Sequence, residues 1–160
     1  MPHIHDLYDF TVSFYIVHPS EKKLCLHLHK NLGFWTQLGG HIELDEEPMQ
    51  AIRRELIEEA GLHPDDYDIV ETGKKPNLSD LPVMSAPFSI LLFDYGKDSQ
   101  HKHIDLPYII KSKKVELSPQ EGESTQIGWF DIEQIQAMRE QKILPTATYE
   151  LCEWILENFV

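Results

Sequence analysis

The sequence predicts a single-domain α/β protein, and three observations support that prediction. The chain has 160 residues, of which 41% are hydrophobic, and this is enough for one compact core. Short runs of β-branched and aromatic residues, which favour strands, recur along the chain. Two other segments, 48–60 and 147–159, have the end signals or the apolar spacing of helices. We therefore expect one domain, residues 1–160, in which strands and helices share a core.

The N-terminal half is expected to contain a hairpin, a loop and a helix. Segments 10–18, "FTVSFYIVH", and 24–29, "LCLHLH", are typical of two strands that "EKK" connects. Glycines interrupt segment 31–40, "NLGFWTQLGG", which predicts a loop. A helix of about thirteen residues follows, because Pro48 suits a first helical turn and Gly61 suits a C-terminal cap.

The C-terminal half is expected to add short strands and two more helices. Strands are predicted in the segments that are rich in β-branched or aromatic residues: 67–73, 88–96, 103–111 and 127–130. Pro107 has no N–H to donate, so its strand is expected at a sheet edge or a bulge. Asp131 and Gln134 have the spacing of a capping box that opens a helix, and segment 147–159 has the spacing of an amphipathic helix.

Charge and cysteine content disfavour several classes of function. The formal net charge of −13 argues against binding to nucleic acid or to an anionic membrane, because phosphates attract Lys and Arg. Cys25 and Cys152 lie far apart without metal-binding spacing, which predicts two reduced thiols. The first residues have no signal-peptide pattern, and the apolar stretches are too short to span a bilayer, so we expect a cytoplasmic protein.

Segment 39–62, "GGHIELDEEPMQAIRRELIEEAGL", concentrates seven acidic side chains. On a helix its apolar positions share one arc, which is expected to face the core: Met49, Ile52, Leu56 and Ala60. Glu55, Glu58 and Glu59 fall on the adjoining arc, where each like-charge pair costs about 0.2–0.5 kcal/mol. Glu58 and Glu59 also lie at the negative end of the helix dipole. Helix stability therefore does not explain the arrangement.

Two interpretations of the acidic arc stay open at this point. Carboxylates on a helix are often only a solvated face, and Arg53 and Arg54 would neutralise part of their charge. A bound Mg2+ or Mn2+ ion would instead let an acidic protein hold a polyphosphate, because carboxylates and phosphates can share such an ion.

A longer pattern separates these interpretations. From residue 40 onward the fixed positions are Gly40, Glu46, Arg54, Glu55, Leu56, Glu58, Glu59, Gly61 and Leu62. This pattern resembles the Nudix box at every defining position. The lead-in "GFWTQLGGHIE" and the late "WFDIEQI" are similar to the segments that flank the box in that family, although Leu38 replaces a common proline and Asp45 a common glycine.

The resemblance implies an α/β/α sandwich with a mixed sheet. It also implies a Mg2+-dependent hydrolase that cleaves a phosphoanhydride in a nucleoside diphosphate linked to another group. The implied metal ligands are the side chains of Glu55, Glu58 and Glu59 and the backbone carbonyl of Gly39.

Other residues receive supporting roles from the same resemblance. Arg54 would orient the glutamates, with Glu46 as its structural partner, and Gly40 and Gly61 belong to the structural motif. Glu123 lies six residues before Trp129, where several family members carry a further metal-binding or catalytic glutamate. The general base stays open among three glutamates, which are Glu58, Glu59 and Glu123.

The sequence leaves the substrate open among nucleoside triphosphates, oxidised ones included, and nucleotide sugars such as ADP-ribose. In "HKHID", His101, His103 and Asp105 would share one strand face, and the last two are candidates to hydrogen-bond a base or sugar. A solvated strand face is the alternative for this segment. His27 and His29 alternate in the same way and are expected to be surface or cross-strand residues.

Two function classes remain under the resemblance. An enzyme is favoured because the segment keeps every carboxylate of the box. The alternative is a noncatalytic Nudix-like module that binds a nucleotide as a sensor. The expected partner is a nucleotide-type small molecule in either case, and assembly into a homodimer stays open.

Overall fold

The computed structural model describes residues 7–94 and 101–160, which form an eight-stranded sheet and its helices. The strands are β1 (Tyr8–Val17), β2 (Leu24–Leu28), β3 (Trp35–Thr36), β4 (Leu38–His41), β5 (Tyr67–Ile69), β6 (Leu91–Asp94), β7 (Lys102–Ser112) and β8 (Ile127–Phe130). The α-helices are α1 (Pro48–Ala60), α2 (Ile132–Glu140) and α3 (Thr146–Asn158), and a 3-10 turn covers Pro64–Asp66. None of these helices has the length and apolar character that a bilayer span needs.

Strand β1 organises the sheet, whose main order is β3-β2-β1-β7-β5. It pairs in parallel with β7 along its whole length, from Tyr8 opposite Lys102 to Val17 opposite Lys111. The other described pairings are antiparallel, and they add β4 to β1, β6 to β7 and β8 to β2. The sheet is therefore mixed, as predicted. The part of predicted strand 88–96 beyond Asp94 lies outside the described residues.

Side chains that alternate along β1 enter two separate cores. Val12, Phe14 and Ile16 pack on one face of the sheet with the apolar arc of α1, whose predicted members are all buried: Met49, Ile52, Leu56 and Ala60. Tyr15 and Val17 pack on the other face with buried residues of the two C-terminal helices: Ile135, Tyr149, Cys152, Ile155 and Leu156. Helices cover both faces, so the expected α/β/α sandwich is confirmed.

Helix α1 is capped at both ends. The Glu47 carboxylate accepts from the Met49 N–H at 2.7 Å, and the Gln50 side chain accepts from the Glu47 N–H at 2.9 Å, which completes a capping box. Gly61 follows the last turn with a left-handed φ of 67°. A Cβ on Gly61 would lie 2.4 Å from the Ser118 carbonyl oxygen, so glycine also lets a distant loop pack on the helix end.

Segment 31–40 was expected to be a loop, and that prediction is wrong from Trp35 onward, because β3 and most of β4 lie within the segment. Leu38, which replaces the common proline, is fully buried and pairs with Phe14 of β1. A Cβ on Gly39 would lie 2.2 Å from the Val12 carbonyl oxygen. The glycines therefore mark a close approach of two backbones inside a sheet rather than a loop.

Pro107 was expected at a sheet edge or a bulge, yet it lies in an internal strand. On the side of β7 away from β1, β6 pairs with residues 102–105 and β5 with residues 110–112. The Pro107 carbonyl accepts from the Phe88 N–H at 3.0 Å on that side. N–H and C=O groups of one extended residue point the same way, so the missing N–H of proline falls in the gap between β6 and β5.

Replacement of Gly61 by alanine is expected to lower the free energy of unfolding by about 2 kcal/mol or more. The left-handed backbone costs about 1–2 kcal/mol for a residue with a Cβ, and the clash with Ser118 adds to it. Gly73→Ala is the control, because a Cβ there meets no atom within 4 Å. Urea unfolding of both variants measures the difference, and equal stability would contradict the proposed packing.

Candidate active site

Arg54 connects α1 to the segment that precedes it. Its Nε and Nη2 atoms donate to the two Glu46 carboxylate oxygens at 2.7 and 2.9 Å, and Nη2 also donates to the His41 carbonyl at 3.0 Å. Its Nη1 atom donates to Glu55 at 2.7 Å and to Glu58 at 3.3 Å. The two-point contact with Glu46 fixes the guanidinium plane, so the remaining nitrogen is aimed at the two glutamates.

Burial and neighbouring charges raise the pKa values of two glutamates of the acidic arc, Glu55 and Glu59. Glu55 and Glu59 are only 5% and 7% exposed, whereas Glu58 is partly exposed. Burial, and then the charge of Glu55, raises the pKa of Glu59 to about 9. Burial also raises the pKa of Glu55, although Arg54 opposes this shift. The charge of Glu123 raises both of these pKa values, so the structure brings Glu123 to the same cluster.

Two glycines of β4 contact the buried carboxylates in different ways. A Cβ on Gly40 would lie 2.0 Å from Glu55 Oε1, so a larger residue would occupy the space of that carboxylate. The Gly39 N–H donates to Glu59 Oε2 at 2.8 Å, which holds that carboxylate against the strand. The missing side chain of Gly40 and the backbone N–H of Gly39 therefore allow α1 to place its carboxylates directly on the sheet backbone.

The loop after β7 carries Glu123 to the end of α1. The Ser118 N–H donates to the Ala60 carbonyl at 3.0 Å, and the Gln120 N–H donates to the Glu58 carbonyl at 2.8 Å. A turn between Gln120 and Glu123 follows, closed by a 3.0 Å hydrogen bond. Carbonyls that a helix end leaves unsatisfied thus anchor the loop, and this positions Glu123.

His27 is a site residue that the sequence did not identify. It is a cross-strand residue, as expected, but it is buried, and its Nδ1 lies 3.8 Å from Glu59 Oε1. Burial, and then the charge of His29, lowers the pKa of His27 to about 4, so its ring is neutral at pH 7. Strands β3 and β8 flank it on both sides. Its contact with Glu59 of α1, far from it along the chain, leaves no local sequence signal.

The polar side of the "HKHID" segment lies on the sheet face opposite α1. His103 and Asp105 are 4% and 3% exposed, so the alternative of a solvated strand face is wrong. Asp105 accepts hydrogen bonds from Thr11 Oγ1 at 2.7 Å and from Ser13 Oγ at 2.5 Å. Strand β7 is internal and covered on both faces, which short-range alternation does not reveal. The expected contact of His103 and Asp105 with substrate stays a prediction.

Thermal stability of the metal-free protein is expected to fall as pH rises from about 6.5 to 9, above the range in which the lowered pKa of His27 opposes the decline. Folded Glu59 keeps its proton up to a pKa of about 9, whereas the unfolded chain releases it near about 4.3. The unfolded state then binds fewer protons across this range, and stability decreases with pH. Glu59→Gln removes the titrating group and should flatten the decline.

Melting curves in chelator over this pH range test the expectation. Glu157→Gln is the matched control, because Glu157 is an exposed glutamate in the last turn of α3. It should keep the slope of the parent. Equal slopes for the parent and Glu59→Gln would show that the buried carboxylate does not cause the decline.

Known proteins resemble this chain over most of its length. The NUDIX domain family model matches residues 8–151. A protein of Lactococcus lactis subsp. cremoris (strain MG1363) named "Probable DHNTP pyrophosphohydrolase" is 30% identical over 129 residues, which are 81% of this chain and 61% of that protein. The match therefore spans less than two thirds of the relative.

Solved structures also resemble this chain. A NUDIX-family hydrolase from Clostridium perfringens is 30% identical, with a TM-score of 0.76 over 93% of this chain and 96% of that one. The dihydroneopterin triphosphate pyrophosphohydrolase of E. coli shares the fold at 13% identity, with a TM-score of 0.67 over 95% and 99% of the two chains. Since the family model covers nearly all of the described residues, this protein belongs to the NUDIX family.

Proposed function

We propose that this protein is a Mg2+-dependent pyrophosphohydrolase that cleaves a phosphoanhydride in a nucleoside diphosphate linked to another group. The observation that carries the proposal is the convergence of Glu55, Glu58 and Glu59 beside Arg54, with Glu123 at the same cluster. The Lactococcus relative is named a pyrophosphohydrolase, which supports the same reaction.

The donor set at this cluster fits a hard divalent cation. Its side-chain donors are all carboxylate oxygens, which Mg2+ and Mn2+ prefer. Glu55 and Glu59 are buried, and burying neighbouring carboxylates is costly unless positive charge compensates it. Arg54 offsets the charge only in part, because the pKa of Glu55 stays raised beside it. A cation held by Glu55, Glu58 and Glu59, with Glu123 and the Gly39 carbonyl as further donors, would supply the rest.

The residues of the chain have distinct tasks in the proposed reaction. A bound Mg2+ would polarise the phosphoryl oxygens and offset the negative charge that develops during displacement. Arg54, held by Glu46, orients Glu55 and Glu58. A carboxylate must also take the proton of the attacking water, and Glu58, Glu59 and Glu123 remain candidates for this base.

The noncatalytic sensor is the alternative function. It would need nucleotide binding but no water activation, so it would not require three carboxylates in one cluster. The chain retains Glu55, Glu58 and Glu59 in one cluster, and this supports the enzyme. Turnover measurements separate the two, because a sensor would bind a nucleotide saturably without cleaving it.

Glu58→Gln and Glu59→Gln are each expected to lower kcat/KM by about 100-fold or more while leaving the metal-free protein at least as stable. Each change weakens a metal donor. Glu58→Gln also removes a negative charge from the cluster, whereas Glu59 is already protonated in the metal-free protein near neutral pH, so its replacement by Gln changes little there. Added Mg2+ should raise the melting temperature of the parent more than that of either variant, because ligand binding stabilises the folded state. Excess EDTA should abolish parental turnover.

Glu157→Gln serves again as the exposed control and should keep both turnover and the Mg2+ shift. Full activity in both site variants would overturn the proposed metal site. So would undiminished parental turnover in EDTA.

The substrate is expected to be a triphosphate. Beside the nucleoside triphosphates, dihydroneopterin triphosphate (DHNTP), which carries a pterin instead of a nucleoside, is the first candidate because the 30% identical relative is named for it. A panel of DHNTP, nucleoside triphosphates, oxidised nucleoside triphosphates and ADP-ribose would rank the candidates by kcat/KM. Asp105→Asn should change this ranking if Asp105 contacts the substrate, since a buried polar group left unpaired discriminates strongly.

Asp68→Asn is the control for that ranking, because Asp68 is an exposed strand residue paired with Lys113. ADP-ribose cleavage without cleavage of any triphosphate would contradict the expected substrate class. An unchanged ranking in Asp105→Asn would remove Asp105 from the substrate site.

A further inference from the structure

A second cluster of metal-ligating side chains lies on the sheet face opposite α1, where β1 and β7 begin. Asp9, His101 and His103 each offer one ligand atom, and these three atoms lie within 4.8 Å of one another. His41, at the end of β4, adds an imidazole beside Asp9. The cluster is separate from the carboxylates of the Nudix box and has no task in the reaction proposed above.

The sheet sets the spacing of this cluster. Asp9 of β1 is the direct partner of His103 in β7, so their side chains stand side by side on adjacent strands. His101 precedes His103 by two residues, which places both on one face of an extended chain. His41 pairs with Thr11, two residues from Asp9. Donors on paired strands are positioned before any ion binds.

The distances around Asp9 match those between ligands of one ion. His101 Nε2 and His41 Nε2 each lie 3.4 Å from Asp9 Oδ2. Two atoms bound to a tetrahedral zinc ion at about 2.0–2.1 Å are roughly 3.3–3.4 Å apart. A direct N–H···O hydrogen bond is usually shorter, at about 2.7–3.2 Å. The His103 ring completes the group, with its centroid 5.3 Å from that of His101.

Burial gives the cluster an energetic reason to take up a cation. Asp9 is 1% exposed and His103 is 4% exposed, so both lie away from bulk water. A divalent ion bound there would place positive charge directly against the Asp9 carboxylate, where water screens their attraction little. His101 keeps 14% of its side chain exposed, which leaves a route by which an ion can enter.

We propose that Asp9, His101 and His103 bind a borderline divalent transition-metal ion such as Zn2+, at a site separate from the Mg2+ site of α1. Imidazole nitrogens favour such ions over Mg2+, whereas the all-oxygen donors of α1 favour Mg2+. His41 stands beside the fourth coordination position. The site gives His103 a role other than the substrate contact that the sequence suggested.

A Zn2+ titration of the full-length, metal-free protein tests the proposal. Excess Mg2+ fills the carboxylate site of α1, and a chromophoric chelator competes for the zinc. We expect one Zn2+ per chain. Co2+, used in place of Zn2+, should give the strong visible absorption of a tetrahedral nitrogen and oxygen site, and this measurement needs no variant.

Variants then assign the ligands. Asp9→Asn, His101→Gln and His103→Gln should each weaken Zn2+ binding by about tenfold or more, because loss of even an outer partner costs about that much. His101→Gln is the mildest of them for the fold, since its side chain is partly exposed. Circular dichroism establishes which variants fold.

Three controls should retain parental Zn2+ affinity. His63→Gln changes an exposed histidine after α1. The double variant His3→Gln/His5→Gln removes histidines outside the described residues. Glu58→Gln alters the α1 site alone.

Three results would overturn the proposal. The first is a Zn2+ affinity that falls in Glu58→Gln or in His3→Gln/His5→Gln but is unchanged in a folded His101→Gln. The second is less than one equivalent of Zn2+ bound by the parent in excess Mg2+. The third is only the weak absorption of octahedral Co2+.

Discussion

The burial of Glu55 and Glu59 against β4 is the constraint on which the rest of the site depends. Both carboxylates lie next to the apolar arc of α1, so the helix cannot bury that arc without burying them as well. Glu55 fits only because Gly40 has no side chain, and Glu59 is held by the Gly39 N–H. One helix face therefore serves the core and the site together, and neither can change without the other.

The contacts of Arg54 and of the Glu123 loop hold the buried carboxylates in place. Arg54 reaches back to the β4 end through the His41 carbonyl, so the guanidinium holds the helix and the strand at one separation. The loop that carries Glu123 binds carbonyls in the last turn of α1, at the end of the helix where anions are least stable. The raised pKa of Glu59 shows that these contacts leave the carboxylates electrostatically unfavourable without a cation. An arrangement that costs stability in this way is typical of a functional site.

Local sequence signals were sufficient for the elements that depend on local chemistry. Pro48, Gly61 and the Asp131 capping box marked helix ends correctly, because caps involve residues three or four apart. The signals failed where a position depends on distant strands. Gly39 of β4 looked like a loop residue because nothing nearby indicates the approach of β1, and His27 became a site residue through Glu59 of α1, which is far from it in sequence.

The two proposed ion sites differ in donor chemistry, and they lie on opposite faces of the sheet. This separation keeps the imidazoles of one site away from the carboxylates of the other. Ions such as Zn2+ bind most nitrogen and oxygen sites more tightly than Mg2+, so imidazoles among the α1 carboxylates would favour the wrong ion. Alternation along β1 and β7 keeps Asp9, His101 and His103 on the opposite face. His27 is the imidazole that approaches the carboxylates, with its Nδ1 3.8 Å from Glu59 Oε1, so among the described histidines it is the one through which donor type could change the ion that the α1 site prefers.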